Sequence, residues 1–227
     1  MKIKTIVWLA IFSIAMAYME SAVVIYLRKI YYPDGFQFPL VPLDASIELV
    51  EVLREAATII MLVCIAVLSA KKDSVKFACF IFCFAVWDLF YYFFLWLLLG
   101  WPESLFTWDI LFLIPVPWVG PVMTPCIVSL TMMLLALSII YFQRLGVNTK
   151  MNVKEWSLLI IGSFVIVLSF VWDYLEYLQQ QKSSEINEMT NYVPADFNWS
   201  LFLTGEFILL FGILLFINRI KKGKQLL

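Results

Sequence analysis

The 227 residues include no histidine. That absence removes Ser-His-Asp hydrolysis, zinc sites built on H-E-x-x-H, histidine-ligated haem and the histidine-rich di-iron centres of membrane enzymes. No P-loop, no G-x-G-x-x-G and no nucleic-acid-binding signature occurs, so a nucleic-acid partner is not expected. The four cysteines (Cys64, Cys79, Cys83, Cys126) form no C-x-x-C and sit inside apolar runs. They read as small packing residues rather than a disulfide framework. Charge is also scarce: Asp, Glu, Lys and Arg make up 15% of the chain against 63% hydrophobic residues. With a mean hydropathy of +0.91, that is a membrane composition. The two-residue alternation of an outer-membrane barrel is missing too, which leaves helices as the spanning solution.

What is present is a series of six apolar runs, roughly 5–27, 46–69, 75–99, 121–143, 155–178 and 199–218. Each reaches the ~20 residues a helix needs to cross the hydrocarbon core. The expected fold is therefore an all-α, polytopic membrane bundle of six transmembrane helices, with residues 1–227 forming one domain. The first run has the outline of a signal peptide, MKIK followed by Ala15-Met16-Ala17. Its apolar character continues to Tyr26, so it is expected to stay as a helix.

Orientation follows from the basic residues. With the N-terminus inside, twelve Lys and Arg fall on the cytoplasmic side and only Arg28, Lys29 and Lys182 on the other. Both termini are expected to be cytoplasmic. The acids run the other way: only Asp73 and Glu155 of 17 fall inside. On the outer side, residues 28–45 carry three prolines and several aromatics and are expected to form an ordered cap. Residues 179–198 are the one soluble-looking segment, and Asn198-Trp199-Ser200 there fits a glycosylation sequon. The run 104–118, "SLFTWDILFLIPVPW", is too short to span and is closed by Pro115 and Pro117. It is expected to be an interfacial or re-entrant helical segment, with Trp101, Trp108 and Trp118 at headgroup level.

The functional signal lies in "VEVLREAATIIM", residues 50–61. At about 100° per residue, Glu48, Glu51, Arg54, Glu55 and Thr58 share one stripe of the second helix while the rest is apolar. A charge near mid-bilayer costs roughly 2.5–3.5 kcal/mol on insertion scales, so such a stripe must face an interior. Other helices carry matching acids: Glu20 on the first, Asp88 beside Tyr91 and Tyr92 on the third, Asp173 and Glu176 on the fifth, Glu206 on the sixth. The fourth has none, though Pro121 and Pro125 are placed to free a carbonyl at its start. "VWDLFYY" at 86–92 and "VWDYLEY" at 171–177 are also echoes of one another.

The candidate site is thus Glu20, Glu51, Glu55, Asp88, Asp173 and Glu206 as ligands for a metal or protons. Arg54, Tyr91, Tyr92, Asp109 and Glu176 stand as substrate or gate residues. A carboxylate-only site suits hard cations (Mg, Ca or Mn) and suits protons equally. Three readings stay open. One is a cation- or proton-binding membrane protein, a small permease among them. Another is a metal-dependent enzyme on a lipid or isoprenoid headgroup, in which Trp87 and Trp172 would also line the pocket and Arg54 would clamp a phosphate. The third is a non-catalytic membrane subunit or assembly factor whose acids form a structural network around Arg54, which can bridge two carboxylates.

The runs "YMESAVVIYLRKIYYPDGF", "LREAATIIML" and "WPESLFTWDILFLIPVPWVGP" resemble stretches of an uncharacterised group of polytopic bacterial inner-membrane proteins. The resemblance covers most of residues 18–125 and implies a bacterial inner-membrane location. It implies no activity and no residue roles.

Overall fold

The computed structural model describes residues 2–113, 116–180 and 192–225. Six helices account for most of it: α1 (Ile3–Tyr31), α2 (Ala45–Ser69), α3 (Asp73–Leu99), α4 (Met123–Arg144), α5 (Val153–Gln180) and α6 (Trp199–Gln225). The shortest has 22 residues, about 33 Å at 1.5 Å per residue. All six are long and apolar enough to cross a membrane. Their ends are set by local chemistry. Gly100 (φ +67°) closes α3 in the left-handed region and Gly146 (φ +80°) follows α4, where a Cβ would be strained. Asn198 caps α6 by accepting the Leu201 amide at 3.0 Å, which gives the sequon asparagine a structural role.

α3 is the hub. Ala78, Cys79, Cys83 and Ala85 are fully buried on it, and these small side chains let α1 and α4 approach closely. α5 and α6 form a second tight pair. A Cβ on Gly205 would lie 2.7 Å from the Ile166 side chain and 2.9 Å from the Gly162 carbonyl, so these backbones meet because both positions are glycine. α4 joins the two groups through α6. α2 packs along α3 but hardly along α1. Its inward stripe is Glu51, Glu55, Thr58, Leu62 and Ala66, while Leu49, Val50, Leu53, Ile60 and Leu68 are exposed. A helix in lipid turns its apolar side outward, so the polar stripe is the buried one.

One end of the bundle holds the start of α1 and the end of α6. There Ser74 meets Thr149 at 3.0 Å, tying the α2–α3 and α4–α5 connections together. Glu155 accepts two bonds from Arg219, at 2.6 and 2.8 Å. It also closes a capping box with Asn152, each side chain accepting the other's amide at 2.9 Å.

The opposite end is covered by the α1–α2 connection and by a β-hairpin, which corrects the helical expectation for 104–118. β1 (Trp108–Phe112) pairs antiparallel with β2 (Trp118–Pro121), and Asp109 lies opposite Gly120. The segment is rich in aromatic and β-branched residues, and Pro117 cannot donate within a helix. Pro121 is the last residue of β2, where its missing N–H removes no helical bond. Its carbonyl, to which Pro125 has no N–H to offer, accepts the Thr124 hydroxyl at 2.7 Å beside the start of α4 at Met123. Pro115, also part of that expectation, lies outside the described residues, as do residues 181–191 of the soluble-looking segment. The three tryptophans of this region are half-buried: Trp118 stacks on Phe170, Trp108 meets Phe197 edge-on, and Trp101 covers Arg28.

Candidate functional site

Between α1, α2 and α3, under the hairpin and the α1–α2 connection, lies a cavity of about 850 Å³. That is within the roughly 300–1,000 Å³ of small-molecule sites. It extends down α2 to Thr58, thirteen residues from the helix start and therefore about 20 Å deep. Among the described residues, its wall includes six carboxylates (Glu20, Glu48, Glu51, Glu55, Asp88 and Asp109) and two cations, Arg28 and Arg54. Tyr91, Tyr92 and Trp87 of α3 and apolar residues such as Val24, Leu27 and Val52 complete it.

The two arginines divide the acids. Arg54 reaches across the gap between α1 and α2. Its Nη1 pairs with Glu20, and it holds Glu51 through Nε at 2.8 Å and Nη2 at 2.7 Å. This planar bridge is the main polar tie between α1 and α2, two helices that otherwise rest on α3. Arg28 donates from Nη2 to Asp109 at 3.0 Å, and its guanidinium lies 4.4 Å from the Phe36 ring and 3.7 Å from Trp101. Asp109 is 2% exposed. Burial pushes its carboxyl up to about 6, against the lowering effects of Arg28, the Ile110 amide and the Tyr92 hydroxyl.

Two acids are held by neutral donors. Glu55 accepts the Leu113 amide at 3.1 Å, which satisfies the backbone just past β1 and ties the hairpin to α2. Asp88 accepts the Ser129 hydroxyl at 2.8 Å from α4. Glu48, one turn nearer the rim, is exposed.

Most of the expected constellation therefore converges: Glu20, Glu51, Arg54, Glu55, Asp88, Tyr91, Tyr92 and Asp109 all line one cavity. Three residues do not join it. Glu206 is buried against α4, where Thr131 donates to it at 2.8 Å. Asp173 accepts the Tyr192 hydroxyl at 2.5 Å, and Glu176 takes the indole N–H of Trp172 at 2.6 Å on an exposed face. Glu206 lies on α6 where that helix packs on α4, and Asp173 and Glu176 lie on α5 at turns of the helix facing away from Tyr174 and Leu178, the α5 residues that do line the cavity. The echo around Asp88 and Asp173 accordingly has two different environments.

Sequence reasoning missed Arg28, taken there as a loop residue. The signal was a helical stripe of Glu20, Val24, Leu27, Arg28 and Tyr31 continuing past position 27. It also missed the hydroxyls of Ser129 and Thr131, which make the acid-free α4 a partner of two acids. Among the described residues, no group of three or more Asp, Glu, Cys or His side chains is arranged to hold a metal ion.

Fold and cavity together define a multi-pass membrane protein with a buried acidic-aromatic chamber at the hairpin end. Comparison of the chain with family models, with curated proteins and with solved structures returns no match.

Proposed function

We propose that this is an inner-membrane protein with both termini cytoplasmic, whose outward-facing cavity binds a cationic group or protons, as a small permease does. The supporting observation is the surplus of acid in the cavity: six carboxylates line it beside two guanidiniums. Arg54 takes Glu20 and Glu51, and Arg28 takes Asp109. Glu55 and Asp88 have only neutral donors, so a ligand bearing N–H⁺, or a proton, supplies the counter-charge there. A proton or an ammonium group suits this wall better than a dehydrated Mg, Ca or Mn ion. Those ions take six or more oxygens, and among the described residues no three carboxylates are grouped to hold one.

The test is thermal melting of the full chain in mild detergent with Mg²⁺, Ca²⁺, Mn²⁺ or ethanolamine, at several pH values, for wild type and Glu55→Gln. The expected result is stabilisation by ethanolamine that the variant lacks, or stabilisation on lowering the pH that is smaller in the variant than in wild type. Melting that is indifferent to every cation, with the same pH response in wild type and variant, would overturn the proposal.

A second reading has its own support. Arg54 bridging Glu20 and Glu51 is the arrangement a purely structural network requires. Under that reading Glu55→Gln would change only the attachment of the hairpin.

A further inference from the structure

The cavity also contains a second, opposite demand. Arg28 is 8% exposed and Trp87 7% exposed, and both line it. Arg28 Nη1 and Trp87 Nε1 are shut away from solvent and have no acceptor. A buried N–H without an acceptor loses the free energy of a hydrogen bond, more so for a charged donor. These donors call for an oxygen-rich, anionic group. Glu55 and Asp88, in the same chamber, call for a cationic one. Between these polar groups the wall has apolar stretches, Val24 and Leu27 of α1 and Ile110, Leu111 and Phe112 of β1.

We infer that the ligand is an amphiphile whose head joins a phosphate to a primary ammonium, an aminophospholipid of the surrounding bilayer. The inference rests on the acid surplus receiving a cation, and it adds the anionic half and the hydrocarbon tail. The phosphate meets Arg28 and Trp87 by charge-assisted hydrogen bonds. The ammonium meets Glu55 and Asp88. Access is lateral. α1 and α2 both lie along α3 and barely touch one another, and the Glu20–Arg54 bridge spans the space between them. An acyl chain can therefore leave the chamber between two helices into lipid, while the head stays under the hairpin.

The experiment uses the full chain in dodecylmaltoside and isothermal titration with four probes: dihexanoyl phosphatidylethanolamine, dihexanoyl phosphatidylglycerol, O-phosphorylethanolamine and ethanolamine. The aminophospholipid should bind about tenfold or more tighter than each of the others. Trp87→Phe, which removes the N–H together with part of a buried ring, should weaken it about tenfold in titrations run well below the variant's own melting temperature. Equal binding of the phosphatidylglycerol would remove the ammonium from the inference and overturn it. Equal binding of O-phosphorylethanolamine would place the ligand in water and overturn lateral access. Ethanolamine binding as tightly as the lipid would overturn the phosphate half while leaving the cation site intact. No binding of any probe would overturn both.

Discussion

Replacing Arg54 by Gln tests the polar tie between α1 and α2 most directly. The side chains of Arg54, Glu20 and Glu51 are 21%, 13% and 7% exposed, so the triad is largely withdrawn from water. At the 2.7 Å contact to Glu51, an effective dielectric constant of about 20 gives a gross attraction of about 6 kcal/mol. Desolvation of the three ions offsets most of that gain. Deleting one partner leaves the desolvation in place without the attraction, which typically costs about 3–5 kcal/mol. Because Arg54 keeps some exposure, the lower end applies, about 3 kcal/mol of lost stability. The assay is reversible unfolding in dodecylmaltoside–SDS mixed micelles, followed by tryptophan fluorescence. The triple variant Arg54→Gln, Glu20→Gln, Glu51→Gln removes the stranded charges as well and should recover at least about half of the loss. A single-variant effect below about 0.5 kcal/mol, or a triple variant weaker than the single, would refute the reasoning.

Further predictions concern the two ends and the glycine contact. Asp109 is protonated more readily folded (about 6) than unfolded (3.8), so its contribution is present below the lower value and is lost as pH rises through about 6. Wild-type stability should therefore fall between pH 4 and 6.5 by up to about 3 kcal/mol from this group, and Asp109→Asn should flatten that slope in pH-dependent melts. Glu155→Ala removes both the capping box and the Arg219 pair and should cost about 2–3 kcal/mol, measured by the same mixed-micelle unfolding. Gly205→Ala drives a methyl into backbone atoms of α5 and should cost about 1–3 kcal/mol. Gly212→Ala, whose nearest neighbour would be Leu158 Cβ at 3.1 Å, should cost less; the reverse order in thermal melts would contradict the packing described.

The six helices were legible from the chain itself because a span in lipid needs a long uninterrupted apolar run and a backbone bonded within itself. The buried polar stripe of α2 was legible for the same reason: Glu51, Glu55 and Thr58 recur at helical spacing in a segment that otherwise belongs in hydrocarbon. Which acids would share a chamber was not legible. Glu20, Asp88, Asp173 and Glu206 look alike in sequence, each an acid within an apolar helix. Only the packing order, with α1 and α2 on α3 and with α5 against α6, puts Glu20 and Asp88 on the cavity and leaves Asp173 and Glu206 elsewhere. The hairpin at 108–121 likewise depends on partners far along the chain, since Arg28 and Glu55 bind its Asp109 and Leu113. Hydropathy is a property of each segment and can be read segment by segment; the pairing of charges is a property of neighbours, and the tertiary structure alone decides who they are.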